Sequence, residues 1–425
     1  MNDTKRLFSN TAIIFVGSTT ASVFSYLFNM LMGRMLGPAQ YGEMAAILSL
    51  LTIVAVGGGV VMTTTMFYTG EMYGLRNFAG IKKLARIFTK FVFMMSLLFF
   101  LFGIILARPI ANFFSIEHVV PVVIAFTSFI FGFVILVNKG ILQATQRFVA
   151  FSLIGILEMV LRVSLAVIFV KIGFALSGAI AAAVIATALA YFATYWPLSK
   201  LWRNIKENTT DFHFDRREVA AYTAPVLITT LLLAMLLNLD VILVKHYFPT
   251  DQAGLYAAVS TVGKIILYLT APIISVMFPM ILEKKSQGKK HFKMLLFSLG
   301  LTAIGAALVL AIYSTVPTTV MKILYGHDFT ALSYLLPQLG IFILFYTLIN
   351  LLANYFLAVK NFVFLIFMFV ASVLILVWTS LNHASISGII KIFTISDALL
   401  FAAMISYYLY DKRKQLKQYL KAIYE

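Results

Sequence analysis

The sequence predicts an all-α polytopic membrane protein, with twelve transmembrane helices in two pseudo-symmetric six-helix lobes. Three observations carry that reading. First, 61% of the 425 residues are hydrophobic and only 12% are charged, with a mean hydropathy of +0.96. A soluble chain of this length carries roughly twice that charged fraction. Second, lysines and arginines gather in every second loop. Third, one helix–turn–helix motif occurs twice, about half a chain apart, the mark of paired lobes in membrane transport folds.

Apolar segments long enough to cross a ~30 Å hydrocarbon core lie near residues 8–33, 42–69, 87–106, 119–143, 149–170, 173–199, 218–244, 252–282, 292–314, 331–358, 361–381 and 384–410. A β-barrel would show short alternating segments instead. The basic stretch Met1 to Asn10 leads into an apolar run too long for a signal-peptide core and has no small-x-small cleavage site behind it, so a retained first helix is expected. Sorting the 33 basic residues by loop puts 24 on one side, including Lys5, Arg76, Arg147, Arg203, Lys285, Lys360 and Lys412. Arg34, Arg108, Lys171, Lys245 and Lys322 fall on the other. The positive-inside rule then places both termini in the cytoplasm.

The longest polar stretch, Lys200 to Arg217, separates the lobes. The expected division is 1–206, 207–410 and a basic cytoplasmic tail at 411–425. Six is even, so both lobes enter from the same side and the repeat is parallel.

The repeated motif is specific. Its first copy runs from Asn29 through Arg34, Gly37-Pro38 and Tyr41-Gly42-Glu43-Met44-Ala45-Ala46. The second runs from Asp240 through Lys245 and Pro249 to Gly254-Leu255-Tyr256-Ala257-Ala258. Each copy ends an apolar helix on one basic residue, turns at a proline and restarts at a glycine followed by x-x-Ala-Ala. Leu142 to Phe148 likewise matches Phe356 to Phe362, closing the fourth helix of each lobe, and Ala175 to Gly178 matches Ser385 to Gly388, opening each sixth. Gly57-Gly58-Gly59 in the second helix and Pro272 with Pro279 in the eighth sit at related places. They are read either as hinges along a substrate path or as sites of close helix packing.

These residues, with Phe278-Pro279, resemble the polysaccharide-transporter branch of the multidrug/oligosaccharidyl-lipid/polysaccharide (MOP) flippase superfamily. The resemblance covers essentially the full length. It implies a V-shaped central cleft between the lobes, lined largely by helices one, two, seven and eight. It further implies a flippase at the cell (inner) membrane that moves an isoprenoid, undecaprenyl-type pyrophosphate-linked oligosaccharide from the cytoplasmic to the outer leaflet for cell-surface polysaccharide such as O-antigen or exopolysaccharide. Its partners would be that substrate, membrane lipids, and a polysaccharide polymerase or glycosyltransferases of the same pathway. Lipid II flippases of the superfamily usually have fourteen helices and several arginines in the first two, and this chain has neither feature.

Charges inside the membrane are the candidate site residues, because each needs a partner or a wet cavity. Glu158 and Arg162 are four apart in the fifth helix and able to pair, as a structural ion pair or with Arg162 held towards the cleft. Lys264, with no acidic residue within one turn, is either a snorkelling lysine or a contact for pyrophosphate, whose charge needs compensation at low dielectric. Arg34 joins them as a cleft cation. Asp240 and Lys245 form a gate, helix-end pair or coupling-ion site. Lys139 with Arg147 is read as an anionic-lipid anchor, and Lys391 with Asp397 as structural.

Other chemistry is poorly provided for. With no cysteine there is no disulfide, thiol nucleophile or thiolate metal site. The six histidines lack ligand spacing and no ATP-binding motif occurs, so no metal or cofactor is expected. Nucleic acid is not expected as a partner, since the +17 charge follows from topology and no soluble basic domain carries it. A membrane polymerase or ligase would need a large external loop. The longest external connections, near 107–118 and 315–330, are short and hold only Arg108, Glu117, Lys322 and Asp328 with His118 and His327, so the chain is not expected to be an enzyme. The nearer competitor is a cation-coupled multidrug exporter of the same superfamily. Its usual carboxylate is missing from the first membrane helix, leaving Glu158 as the deep candidate in that lobe.

Overall fold

In a computed structural model the chain is described over residues 3–202, 216–270, 273–274, 277, 281 and 292–424. Thirteen α-helices can be followed among these residues: α1 (Asp3–Val54), α2 (Val56–Gly74), α3 (Phe78–Phe113), α4 (Val120–Ala144), α5 (Phe148–Phe169), α6 (Ala175–Trp202), α7 (Arg216–Tyr247), α8 (Thr250–Gly263), α9 (Phe292–Thr315), α10 (Pro317–Tyr325), α11 (Leu336–Ala358), α12 (Phe364–Leu381) and α13 (Ile386–Tyr424). Helix is what such a sequence must form, because hydrocarbon supplies no partner for backbone N–H and C=O groups.

Ten stretches of the described residues are long and apolar enough to cross a membrane. Ile13–Val54 holds the first predicted segment and enters the second, while Phe148–Ser199 holds the fifth and sixth. All twelve predicted segments therefore have a helical counterpart. Both mergers are bent at glycine. Gly37 has φ 74° and ψ 173° inside α1, the turn expected at Gly37-Pro38, and Gly173 has φ 103° in the π-helical turn Val170–Phe174 between α5 and α6. The short connection at 315–330 contains α10 and the 3₁₀ turn His327–Phe329, and a second 3₁₀ turn, Ser333–Leu335, leads into α11.

The chain divides into two compact units. The first holds residues 1–227 together with 248–258 and 324–329, and the second holds 228–247, 259–323 and 330–425. In the first unit α4 is the central helix, packed on α2, α3 and α6, and α5 packs on α1 and α6. In the second, α11 packs on α9 and α13. Fifteen of the residues of α11 are buried, which makes it the core of that unit. The remaining apolar surface faces outward, as on α3 and α12, where Phe102 is 57% and Phe369 60% exposed. That is expected of a protein solvated by lipid.

The repeat reappears as one local geometry. After α4 the amide of Arg147 donates to the carbonyl of Leu142 (2.8 Å), and that of Gln146 to Gln143 (3.0 Å). After α11 the amide of Asn361 donates to Phe356 (3.0 Å), and that of Lys360 to Leu357 (3.0 Å). Gln146 and Lys360 both take positive φ, 58° and 54°. Both helices therefore stop in the same Schellman-type turn, at positions that the sequence match aligned.

Candidate functional site

Three constellations hold the charged candidate site residues. Two lie in the first unit and one in the second.

The first joins α4, α5 and α6. Lys139 Nζ meets Glu158 Oε2 at 2.7 Å, with side-chain exposures of 16% and 12%, and Thr187 donates to Glu158 Oε1 at 2.8 Å. Three helices are thus tied at one carboxylate. Glu158 and Arg162 attract each other electrostatically, as their spacing suggested, but share no direct hydrogen bond. Glu158 has both oxygens engaged elsewhere, and the Arg162 guanidinium lies 4.2 Å from the ring centroid of buried Phe28 on α1. Arg162 Nε has no hydrogen-bond partner. Lys139 from a neighbouring helix takes the direct contact with the carboxylate, while the guanidinium lies over an aromatic face. Lys139 is accordingly an ion-pair partner rather than a lipid anchor, and Arg147 donates to the carbonyl of Pro197 at 2.5 Å.

The second constellation, in the other unit, surrounds Lys264. The eighth span is broken there. Residues 250–263 and 265–270 are helical and Lys264 is a turn, with the amide of Leu267 donating to its carbonyl at 3.0 Å. Lys264 Nζ approaches Asn238 Oδ1 at 3.5 Å, a loose contact with a neutral group. Asp240, 1% exposed, accepts from Ser260 Oγ at 2.8 Å. Lys245 is fully buried beside them in sequence on α7. In the first half the equivalent span breaks at Ala55, where the amide of Gly58 donates to the Ala55 carbonyl at 2.8 Å. The motif glycines Gly42 and Gly254 put the two breaks 13 and 10 residues downstream, within one helical turn of each other.

The glycine triplet resolves into two kinds of position. A Cβ on Gly58 would strike Leu136 and Phe133 of α4, whereas Gly57 and Gly59 face open space. Gly58 is therefore a packing glycine, and its neighbours leave the chain at the break unconstrained. Pro272 and Pro279 lie outside the described residues.

The third constellation was not legible beforehand. The two motif copies touch: a Cβ on Gly42 would press on the backbone of Gly254, and one on Gly254 would overlap the Pro38 carbonyl. Beside them Tyr41 and Tyr325, both fully buried, share a hydrogen bond of 2.9 Å and an edge-on ring contact at 5.5 Å, and Phe329 completes the cluster. Arg34 Nε donates to the Leu324 carbonyl at 3.1 Å. The repeated glycine was the available signal, but a sequence does not reveal that two copies of a motif meet.

Comparison with known proteins agrees with this architecture. The family described as "Polysaccharide biosynthesis protein" matches residues 7–285, about two thirds of the chain, and the chain belongs to it. Among solved structures, an inward-facing multidrug resistance MATE family transporter of the MOP superfamily is similar over 92% of this chain and 96% of its own, with a TM-score of 0.68 and 13% identity. A MATE protein in complex with MaD3S aligns over 95% and 94%, with a TM-score of 0.63 and 16% identity. A MOP superfamily transporter from Pyrococcus furiosus Vc1, described as having a binding pocket of reversed polarity, aligns over 93% and 94% with a TM-score of 0.62 and 16% identity. No curated protein matches. The protein is thus a multi-pass membrane protein of that family, with the fold seen in MOP superfamily transporters.

Proposed function

We propose that this protein is a flippase for an isoprenoid-pyrophosphate-linked oligosaccharide, moving it from the cytoplasmic to the outer leaflet of the cell membrane by alternating access. Its lobes would be 1–206 and 207–410, with both termini in the cytoplasm, and it would perform no covalent chemistry. The observation that carries the reading is Lys264, a cation at a helix break that feels the Asp240 carboxylate but, among the described residues, contacts directly only the Asn238 amide oxygen at 3.5 Å. A lysine so placed can transfer its interaction to a passing pyrophosphate with little loss. Arg162, held by an aromatic ring, is the second candidate contact. Gly57, Gly59 and the break at Ala55 would supply bending, with Pro272 and Pro279 in the matching span. Arg34, Asp240 and Lys245 would act in gating, with the Tyr41–Tyr325 cluster released as the pathway alternates. Pathway neighbours would be a polysaccharide polymerase or glycosyltransferases.

The multidrug-exporter reading keeps some support from the fold. Against it, the deep carboxylate Glu158 is neutralised by Lys139 and is a poor receptor for a cationic drug. Purified protein in proteoliposomes should translocate a labelled prenyl-pyrophosphate oligosaccharide and leave a cationic dye in place. Dye export without glycan-lipid movement would reverse the assignment.

A further inference from the structure

We infer that a groove in the first unit, between α3 and α6 and floored by α4, is a binding site for the phosphate headgroup of an anionic membrane phospholipid. The groove encloses about 470 Å³ and is lined by Lys82, Arg86, Lys90, Asn138, Tyr195 and Trp202, among others. That is within the size range of small-ligand sites.

The amino-acid pattern of α3 matches an amphiphile. Lys82, Arg86 and Lys90 follow one another at i, i+4 and i+8 and share a face. The same stripe continues as Phe93, Leu97, Leu101 and Ile104, which are 47%, 39%, 46% and 43% exposed. Three cations are thus followed along one line by about 16 Å of lipid-facing hydrocarbon, close to the depth of one leaflet of a ~30 Å core. Tyr195, half exposed, and Trp202 on the opposite wall are the residue types that settle at the headgroup level.

Among the described residues no acidic side chain neutralises this charge. No acidic residue occurs between Glu71 and Glu117. Among the described residues none of the three groove cations takes part in an ion pair. Topology control alone would be served by charges in the connection at 75–77. Instead Arg86 and Lys90 stand two to three turns inside α3, where cations need anionic partners. Basic pockets between membrane helices are the usual receptors for anionic headgroups, and each cation should enrich such a lipid about fivefold.

The test uses the full chain in nanodiscs, with Trp196→Phe and Trp378→Phe leaving Trp202 as the single tryptophan of the three. Its fluorescence is quenched by brominated phosphatidylglycerol or, at equal mole fraction, by brominated phosphatidylcholine. The site predicts at least about threefold stronger apparent association of the anionic lipid. The preference should vanish in Lys82→Gln/Arg86→Gln/Lys90→Gln and persist in the charge-keeping Lys82→Arg/Lys90→Arg. Equal quenching by the two lipids in the parent protein overturns the inference without recourse to a variant, as does a preference that survives the triple change. Loss of the preference on adding millimolar inorganic pyrophosphate would assign the groove to a soluble phosphate compound and also overturn it.

Discussion

Lys139 in the first unit and Lys264 in the second are held in contrasting ways. In the first, Lys139 is bound tightly to Glu158, and Thr187 takes the second carboxylate oxygen, so helices α4, α5 and α6 are tied at one neutral knot. In the second, Lys264 is attracted by the Asp240 carboxylate without bonding to it directly, and its nearest hydrogen-bonding contact among the described residues is the Asn238 amide oxygen at 3.5 Å, at a break in its own helix. A saturated ion pair holds a scaffold. A cation held this loosely at a helix break can change partners, as the proposed role of Lys264 requires.

That contrast can be broken from the scaffold side. The largest effect is expected where the two motif copies meet. Gly254→Val has no room beside the Pro38 carbonyl, and folded protein in detergent extracts should fall to near zero by size-exclusion fluorescence; normal yields would mean that the contact is not tight. Next, Glu158→Gln leaves Lys139 as an uncompensated, largely buried charge, which costs about 3 kcal/mol. Thermal stability in detergent should drop clearly, and Glu158→Gln combined with Lys139→Met should recover most of the loss. An unchanged melting temperature would show the knot to be dispensable. Smaller still, Tyr325→Phe removes the Tyr41 hydrogen bond at about 1 kcal/mol, a shift of a few degrees in the same melting assay.

The smallest effect sharpens the hinge. Gly57→Ala and Gly59→Ala meet no neighbour and should hold or raise stability by up to about 1 kcal/mol, while slowing transport if the break at Ala55 must bend. Gly58→Ala, pressed on Leu136, should instead lower stability. Transport rates unchanged in both open-position variants would remove the triplet from the mechanism.

Much of this was legible in the sequence. Hydropathy exposes helices in lipid directly, so the twelve segments could be placed, and the Gly37-Pro38 turn and the matched ends of α4 and α11 follow from residues with fixed backbone habits. The direct partner of Glu158 was missed because the i,i+4 rule describes one isolated helix, while Lys139 arrives from a neighbour. Helix rotation is barely constrained when every face is apolar, so nothing in the chain announced that Arg162 would stack on Phe28 or that Gly42 would meet Gly254. The basic residues of α3 were counted towards topology, although their spacing of four along a continuing apolar stripe already distinguished them from loop charges.

The most direct measurement of the central claim compares wild type with Lys264→Ala and Lys264→Arg in proteoliposomes, following a labelled prenyl-pyrophosphate oligosaccharide across the bilayer at equal protein incorporation. Movement by wild type, at least about tenfold slower movement by the alanine variant and partial recovery by arginine are expected if the cation engages the pyrophosphate. Equal rates for all three would contradict the assignment of Lys264 to the substrate path.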